Sequence, residues 1–212
     1  MKTKSANAIQ SKQRILDVAA RLFRDHGYAA VSLRAIAKDA EMKAGSLYYH
    51  FSSKEDLVVE ILEQGISRVH DEVSAAVSDV VVARGDSDGH QVLLTAIAAH
   101  LRSLLRQSDY TSANVRIFGQ VPATVKLRSM ATRAKYEGLW DDLLDQLCKD
   151  SGRRLPKDKI RLTRLFVLGA LNATLEWFDP KRGSIDGIAR SYADIVWLGL
   201  GTPSARVVEN GK

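Results

Sequence analysis

The stretch from Val31 to Lys54 constrains the fold of this 212-residue chain more than any other. Ser32 can cap a helix whose apolar positions Leu33, Ile36, Ala37 and Ala40 have the spacing of one buried face. Glu41-Met42-Lys43 is a short polar break, and a second, very short helix follows through Ala44, Gly45, Ser46, Leu47 and Tyr48. Two helices joined by so short a turn have the outline of a helix-turn-helix. The second helix carries what a groove reader needs. Ala44 and Gly45 are small enough for close approach, Ser46 can hydrogen-bond, and Tyr48, Tyr49 and His50 are rings with polar tips. Lys43 and Lys54 flank it as phosphate partners. On spacing alone, the same residues describe equally well two packed helices of an all-α domain with two tyrosines in its core.

Gly27-Tyr28, then Val31-Ser32-Leu33-Arg34-Ala35-Ile36-Ala37, then Gly45-Ser46-Leu47-Tyr48-Tyr49-His50-Phe51 and Ser53-Lys54-Glu55 strongly resemble the DNA-binding domain of the tetracycline-repressor (TetR) family. The resemblance covers about the first third of the chain. It implies an all-α homodimeric repressor of about nine helices, a three-helix DNA-binding domain followed by a helical ligand-binding and dimerisation domain. The expected division is a basic N-terminal arm at 1–9, the helix-turn-helix domain at 10–56, the effector-binding and dimerisation domain at 57–202 and a mobile tail at 203–212. Matched position by position, Lys43, Ala44, Ser46 and Tyr48 would face base edges, while Ser32, Arg34, Tyr49, His50 and Lys54 would hold phosphates of double-stranded DNA. The family often has a longer polar residue where this chain has Ala44. Alanine offers only apolar contact, for example to a thymine methyl group.

Charge agrees with a polyanionic partner without demanding one. The formal net charge is +6, and the first 24 residues hold six basic side chains against Asp17 alone. That basic arm either touches phosphates or an adjacent minor groove, or serves as a solubilising tail. Cys148 has no second cysteine to pair with, which predicts a reducing, cytoplasmic setting. Met1–Gln10 is polar and basic without an apolar core, and no apolar run reaches membrane-span length, so no membrane partner is expected. His90 and His100 lie ten residues apart with no second carboxylate ligand nearby, and a His-x-x-x-His pair is absent. Without a metal cluster, a Gly-rich phosphate loop or a Gly-x-Ser-x-Gly elbow, neither a cofactor nor an enzyme is indicated. An all-helical enzyme and a non-specific architectural DNA-binding protein are the rivals to a regulator.

The remaining chain reads as successive amphipathic helices. Ile15, Ala19, Leu22 and Phe23 give a first helix over Gln10–His26, stopped by Gly27. Ser52-x-x-Glu55 and Ser53-x-x-Asp56 are capping-box signatures opening a long helix towards Val80 that links the two halves. Ala83 to Gly89 reads as a linker, and His90–Arg106 resumes a helix. Asn114–Gly119 is a short helical or connecting stretch, and Pro122 begins a long helix ending near Cys148. Candidate effector-binding residues are Arg116, Phe118, Tyr136, Trp140, Asn172 and Trp177, although aromatic residues at helical spacing are more often core. Two last helices, Ile160–Phe178 and Ile185–Leu200 capped by Ser184, would pair with a second copy through Phe166, Gly169, Ala170, Ala173, Ile188, Tyr192 and Ile195, or bury these residues within one chain.

The segment from Leu168 through Pro180, with Gly183-Ser184, Ile188-Ala189 and Leu198-Gly199-Leu200, resembles a TetR branch in which several members respond to acyl-CoA thioesters. The branch often carries tryptophan or another aromatic residue where this chain has Ala173, and tyrosine where it has Phe178. An acyl-CoA effector would need cations for its phosphates, and Arg116, Arg128, Arg161 and Arg164 are available. A sensor of drugs or other xenobiotics is the alternative.

Overall fold

Every regular element in the computed structural model, which describes residues 2–84, 89–150 and 152–201, is helical. In chain order these are α1 (Lys2–Ala30), α2 (Leu33–Asp39), α3 (Ala44–His50), α4 (Lys54–Arg84), α5 (Gly89–Arg102), a π-helical segment (Ser103–Gln107), α6 (Asp109–Phe118), α7 (Ala123–Asp150), α8 (Lys157–Trp177) and α9 (Ile185–Gly201). The expected tail at 203–212 and most of the expected linker, residues 85–88, lie outside the described residues. The first helix begins at Lys2, so the residues assigned to a basic arm extend α1 instead.

Local chemistry explains the element boundaries. Gly27 breaks α1 with φ 78° and ψ 176°, a backbone state open to glycine at no steric cost. Ser32 caps α2 by accepting from the Ala35 amide at 3.1 Å. The turn after α2 places Glu41 at φ 53°, and the Met42 amide donates back to the Ala37 carbonyl. Ser53, the second of the two capping serines, opens α4 by accepting from the Asp56 amide at 3.0 Å. Ser184 does the same for α9 through Gly187. Between α5 and α6 the helix widens into a π segment, and Ser108 caps α6 by accepting from the Thr111 amide.

Two apolar cores result, and α4 runs through both. The first gathers Ile15, Ala19 and Phe23 of α1, Ile36 of α2, Leu47 of α3 and Leu57, Ile61 and Leu62 of α4. It also contains Tyr110, Ala113 and Ile117 of α6, with Val121 and Val125 beyond. The second gathers Ile66, Val69 and Val73 of α4 with the inner faces of α5, α7, α8 and α9. Thus α6 follows α5 in sequence but helps to close the core of the N-terminal helices.

Polar bonds lock that arrangement. The Tyr110 hydroxyl donates to Asp17 at 2.7 Å, Arg24 pairs with Asp109, and the Tyr28 amide donates to Gln120 at 2.9 Å. Closest approach occurs at Gly65, where an added Cβ would fall on the backbone carbonyl of Tyr110. Gly65→Ala is therefore expected to destabilise the protein by about 1–3 kcal/mol, despite a helix-propensity gain of up to about 1 kcal/mol. Gly138→Ala, whose Cβ would meet open space, provides the control and should be neutral or stabilising in the same urea titrations.

Candidate nucleic-acid interface and ligand cavity

Helix α3 is held by very little of itself. Of its seven residues only Leu47 is buried, and Phe51 just beyond it is the next anchor in the first core. Lys43, Ala44, Gly45 and Ser46 are all exposed, Tyr48 is 53% exposed and Tyr49 80%. An apolar ring so open to water on so short a helix has no role in the protein's own core. The alternative of two core tyrosines is thereby excluded. Gly45 has open space where a Cβ would stand, so another surface can come close to the backbone there. His50 is half-buried, its ring edge-on to Tyr49 with centroids 5.1 Å apart.

Most of the expected phosphate partners are open to solvent as well. Ser32 and Arg34 are exposed at the start of α2. Lys54 is different. Its ammonium donates to the Tyr28 carbonyl at 2.5 Å and sits 4.0 Å from the centroid of the Tyr28 ring. Desolvation lowers its pKa. Lys54 thus joins α4 to the end of α1.

A second feature lies about midway along α4. A cavity of about 200 Å³ is bounded by Gly65, Ile66 and Val69 of α4, His100 of α5, Thr111, Asn114, Val115 and Phe118 of α6, Arg133, Tyr136 and Glu137 of α7, and Leu168 and Asn172 of α8. Five helices meet around it. Phe118, Tyr136 and Asn172 were expected at an effector site and do line it. Trp140 lies behind the wall, fully buried and edge-on to both Tyr136 and His100. Arg116 pairs with Glu176 on the surface, and Trp177 is 53% exposed, so neither borders the cavity.

Sequence reasoning missed His100, Asn114 and Arg133. A signal for two of them exists in the periodicity. His100 falls on the same face as Ile97, Leu101 and Leu104, and Arg133 continues the series Val125, Ser129, Tyr136, Trp140. A polar residue interrupting an apolar stripe marks a buried polar site.

One end of the cavity is neutral. Nδ1 of His100 accepts from the Tyr136 hydroxyl at 2.6 Å, and Nε2 donates to Oδ1 of Asn172 at 3.2 Å. Burial holds the His100 pKa down at about 4 and pushes that of Tyr136 up. The other end carries a cation. Arg133 stacks 3.6 Å from the centroid of the Phe118 ring, and its Nη2 donates to Oδ1 of Asn114 at 3.1 Å. Asn114 in turn donates to the Leu62 carbonyl of α4 at 2.8 Å. Glu137 is engaged by Arg164, which also bonds Asp141, both at 2.8 Å. The arginines considered for CoA phosphates are committed elsewhere, Arg116 to Glu176, Arg128 to Asp56 and the buried Arg164 to Glu137 and Asp141, leaving Arg161 exposed.

Helices α8 and α9 are apolar on two sides. Ile160, Val167 and Leu171 of α8 and Ile185, Ala189, Ala193, Val196 and Leu200 of α9 face the second core. Elsewhere on α9, Ile188 and Tyr192 are partly buried and pack against the same core, while Ile195 and Gly199 are exposed. On α8, Phe166 is 61% exposed, Gly169 and Ala173 are exposed and Ala170 is partly so. Leu162, Leu165, Trp177, Ile195 and Leu198 are exposed with them. Burial within one chain is excluded for most of this set. No helix among the described residues is long and apolar enough to cross a membrane.

Comparison with known proteins gives a consistent result. A model of the bacterial regulatory proteins of the tetR family matches residues 15–61, and a tetracyclin repressor-like C-terminal domain model matches residues 86–200. Over 203 residues the chain is 45% identical to the HTH-type transcriptional repressor KstR2 of Mycolicibacterium smegmatis, covering 89% of this chain and 90% of that protein. It is 29% identical over 198 residues to the repressor of the same name from Rhodococcus jostii, with the same coverages. Among solved structures, AibR in complex with isovaleryl coenzyme A and operator DNA superposes with a TM-score of 0.73 at 21% identity, over 89% of this chain and 97% of that one. This last likeness is one of fold.

The neutral His100 makes stability depend on pH. Its pKa falls from an ordinary 6.5 to about 4 on folding, so between those values the unfolded chain binds the extra proton. The contribution is complete above about pH 6.5 and is lost as the pH falls towards 4, amounting to about 3 kcal/mol over the full window. The stability difference between wild type and His100→Gln, from urea unfolding at pH 7 and at about 4.5, should accordingly shrink by about 2–3 kcal/mol.

Proposed function

Since the chain belongs to the tetracycline-repressor family of bacterial regulatory proteins, and so is a DNA-binding transcriptional regulator and not an enzyme, we propose that it works as a homodimeric repressor. A small hydrophobic effector bound in the five-helix cavity would release it from a palindromic operator. The observation that carries this reading is the outward display of α3, with one buried residue and the whole Lys43–Tyr49 run open except Leu47.

In the dimer each α3 enters a major groove, with half-sites about 34–36 Å apart or somewhat more. Lys43, Ser46 and Tyr48 read base edges, and Ala44 adds an apolar contact. Ser32, Arg34, Tyr49 and His50 hold phosphates. Lys54 contributes by fixing α4 against α1. The outer faces of α8 and α9 pair with those of a second copy into a four-helix interface, covering Phe166, Gly169, Ala170, Ala173, Ile188, Tyr192 and Ile195. Exposed leucines and a phenylalanine on two adjacent helices support such a partner.

The position of α6 supplies the coupling. Thr111, Asn114, Val115 and Phe118 face the cavity, while Tyr110, Ala113 and Ile117 belong to the core that seats α3. An occupant that displaces α6 moves the floor of the DNA-binding half. A 100-fold preference of effector for the displaced arrangement corresponds to about 2.7 kcal/mol, ordinary for allosteric coupling. An acyl-CoA thioester is the effector class suggested by the C-terminal resemblance, and the AibR complex with isovaleryl coenzyme A supports it. A hydrophobic drug is the alternative.

Selection from a random duplex library with the purified protein should enrich an inverted repeat. Tyr48→Ala should lower affinity for the enriched duplex by about 1–3 kcal/mol, read by fluorescence anisotropy. If nothing is enriched, or if Tyr48→Ala binds as tightly as wild type, the regulator reading loses its base-reading helix. Phe166→Asp, which puts a charge on the proposed interface, is expected to convert the dimer to monomers in analytical ultracentrifugation while leaving the far-UV helical signal intact.

A further inference from the structure

From the surroundings of Arg133 we infer that the cavity takes a compact apolar carboxylate as the free acid, with the Arg133 guanidinium as its anchor. The inference rests on the reading of this cavity as the effector site and names the chemistry of what enters it.

Arg133 is a largely buried cation with no carboxylate within ion-pair distance among the described residues. Its hydrogen bond goes to a neutral amide, Asn114, and its Nε is buried without a partner. Desolvation lowers its pKa. Glu137 is the acidic residue beside it, and that carboxylate is engaged by Arg164. Lys126, 5.6 Å from the centroid of the same Phe118 ring that Arg133 covers, adds a second positive charge on this side. Burying an unpaired cation is costly, and a bound anion removes that cost. The guanidinium is also a planar fork, suited to the two oxygens of a carboxylate.

Size and wall chemistry limit the rest of the ligand. A cavity of about 150 Å³ holds benzene, so one of 200 Å³ holds roughly eight to ten heavy atoms. Ile66, Val69, Val115 and Leu168 make an apolar surround for a short chain or a ring. A whole coenzyme A thioester exceeds this volume several-fold. Only the acyl end of such a thioester could enter, and its carbonyl is uncharged, whereas the free acid presents a carboxylate to the guanidinium.

Octanoate and phenylacetate, each of about the right size, serve as probes beside their primary amides and their CoA thioesters. In isothermal titration calorimetry the full-length dimer should bind at least one acid about tenfold or more tightly than its amide. Arg133→Gln should bind acid and amide alike, and Arg133→Lys, which keeps the charge without the fork, should fall between. The same acid should displace wild-type protein from the enriched duplex. Binding of neither acid, equal binding of acid and amide by wild type, or unchanged acid binding in Arg133→Gln overturns the inference. If the thioesters bind and displace DNA while the acids do not, the inference falls and the effector-gated reading stands. If no operator is found at all, that reading falls, and the acid–amide comparison still decides the anchor.

Discussion

The contact between α4 and α6 at Gly65 is the constraint on which the other relations depend. Because the residue has no side chain, the Tyr110 carbonyl can lie against the α4 backbone. Thr111 donates to the Gly65 carbonyl from the adjoining position, and Asn114 donates to that of Leu62 one turn earlier. Two helices so joined cannot slide independently. The consequence for α6 is a shared allegiance: Tyr110, Ala113 and Ile117 complete the core beneath α3, and Thr111, Asn114, Val115 and Phe118 wall a cavity. A helix of ten residues that is buried on both sides has no neutral direction in which to move.

The same economy of side chains explains why α3 can be so exposed. Leu47 and Phe51 reach a core already closed by α1, α2, α4 and α6, so α3 needs no more burial of its own. Ion pairs between Arg14 and Glu41 and between Arg21 and Asp39 brace the preceding turn against α1. These pairs are exposed and contribute about a few tenths of a kcal/mol each, within the usual range of about 0–1 kcal/mol. They matter more for orientation than for stability. In α8 and α9 the logic is reversed: ample apolar surface is left outside after the core is complete, with Phe166, Trp177, Ile195 and Leu198 exposed.

Much of the helical framework was legible from residue types alone. The serine caps at 32, 53 and 184, the stop at Gly27 and the helix-turn-helix spacing depend on neighbours within a few residues, and each stands where its chemistry puts it. The α6 region was not legible, since a short helix buried on both sides has no clear apolar stripe and reads as a connection. Nor was the widening of α5 at Ser103, where the Ser112 hydroxyl bonds the Leu104 carbonyl from the next helix. At the sites, outward α3 residues could be matched one by one because they share a single local element. The cavity is assembled from five helices, so aromatic bulk alone could not separate Phe118 and Tyr136, which line it, from Trp140 and Trp177, which do not. For Lys54, a position in the first turn of α4 said nothing of the Tyr28 carbonyl waiting across the fold.

The polar content of the cavity carries the functional argument furthest. A protein built only for stability would fill this space with aliphatic side chains, because each buried polar group costs free energy unless it is bonded. Here the His100–Tyr136–Asn172 chain is satisfied internally and neutral, which makes it a rigid floor. Arg133 is incompletely satisfied and charged, and its one hydrogen bond is to the asparagine that also ties α6 to α4. An anion competing for that guanidinium therefore acts on the residue that holds the two helices in register. On the proposed reading, an anion at Arg133 would sit one hydrogen bond from the asparagine that ties α6 to α4, a local link that needs no long pathway between distant sites.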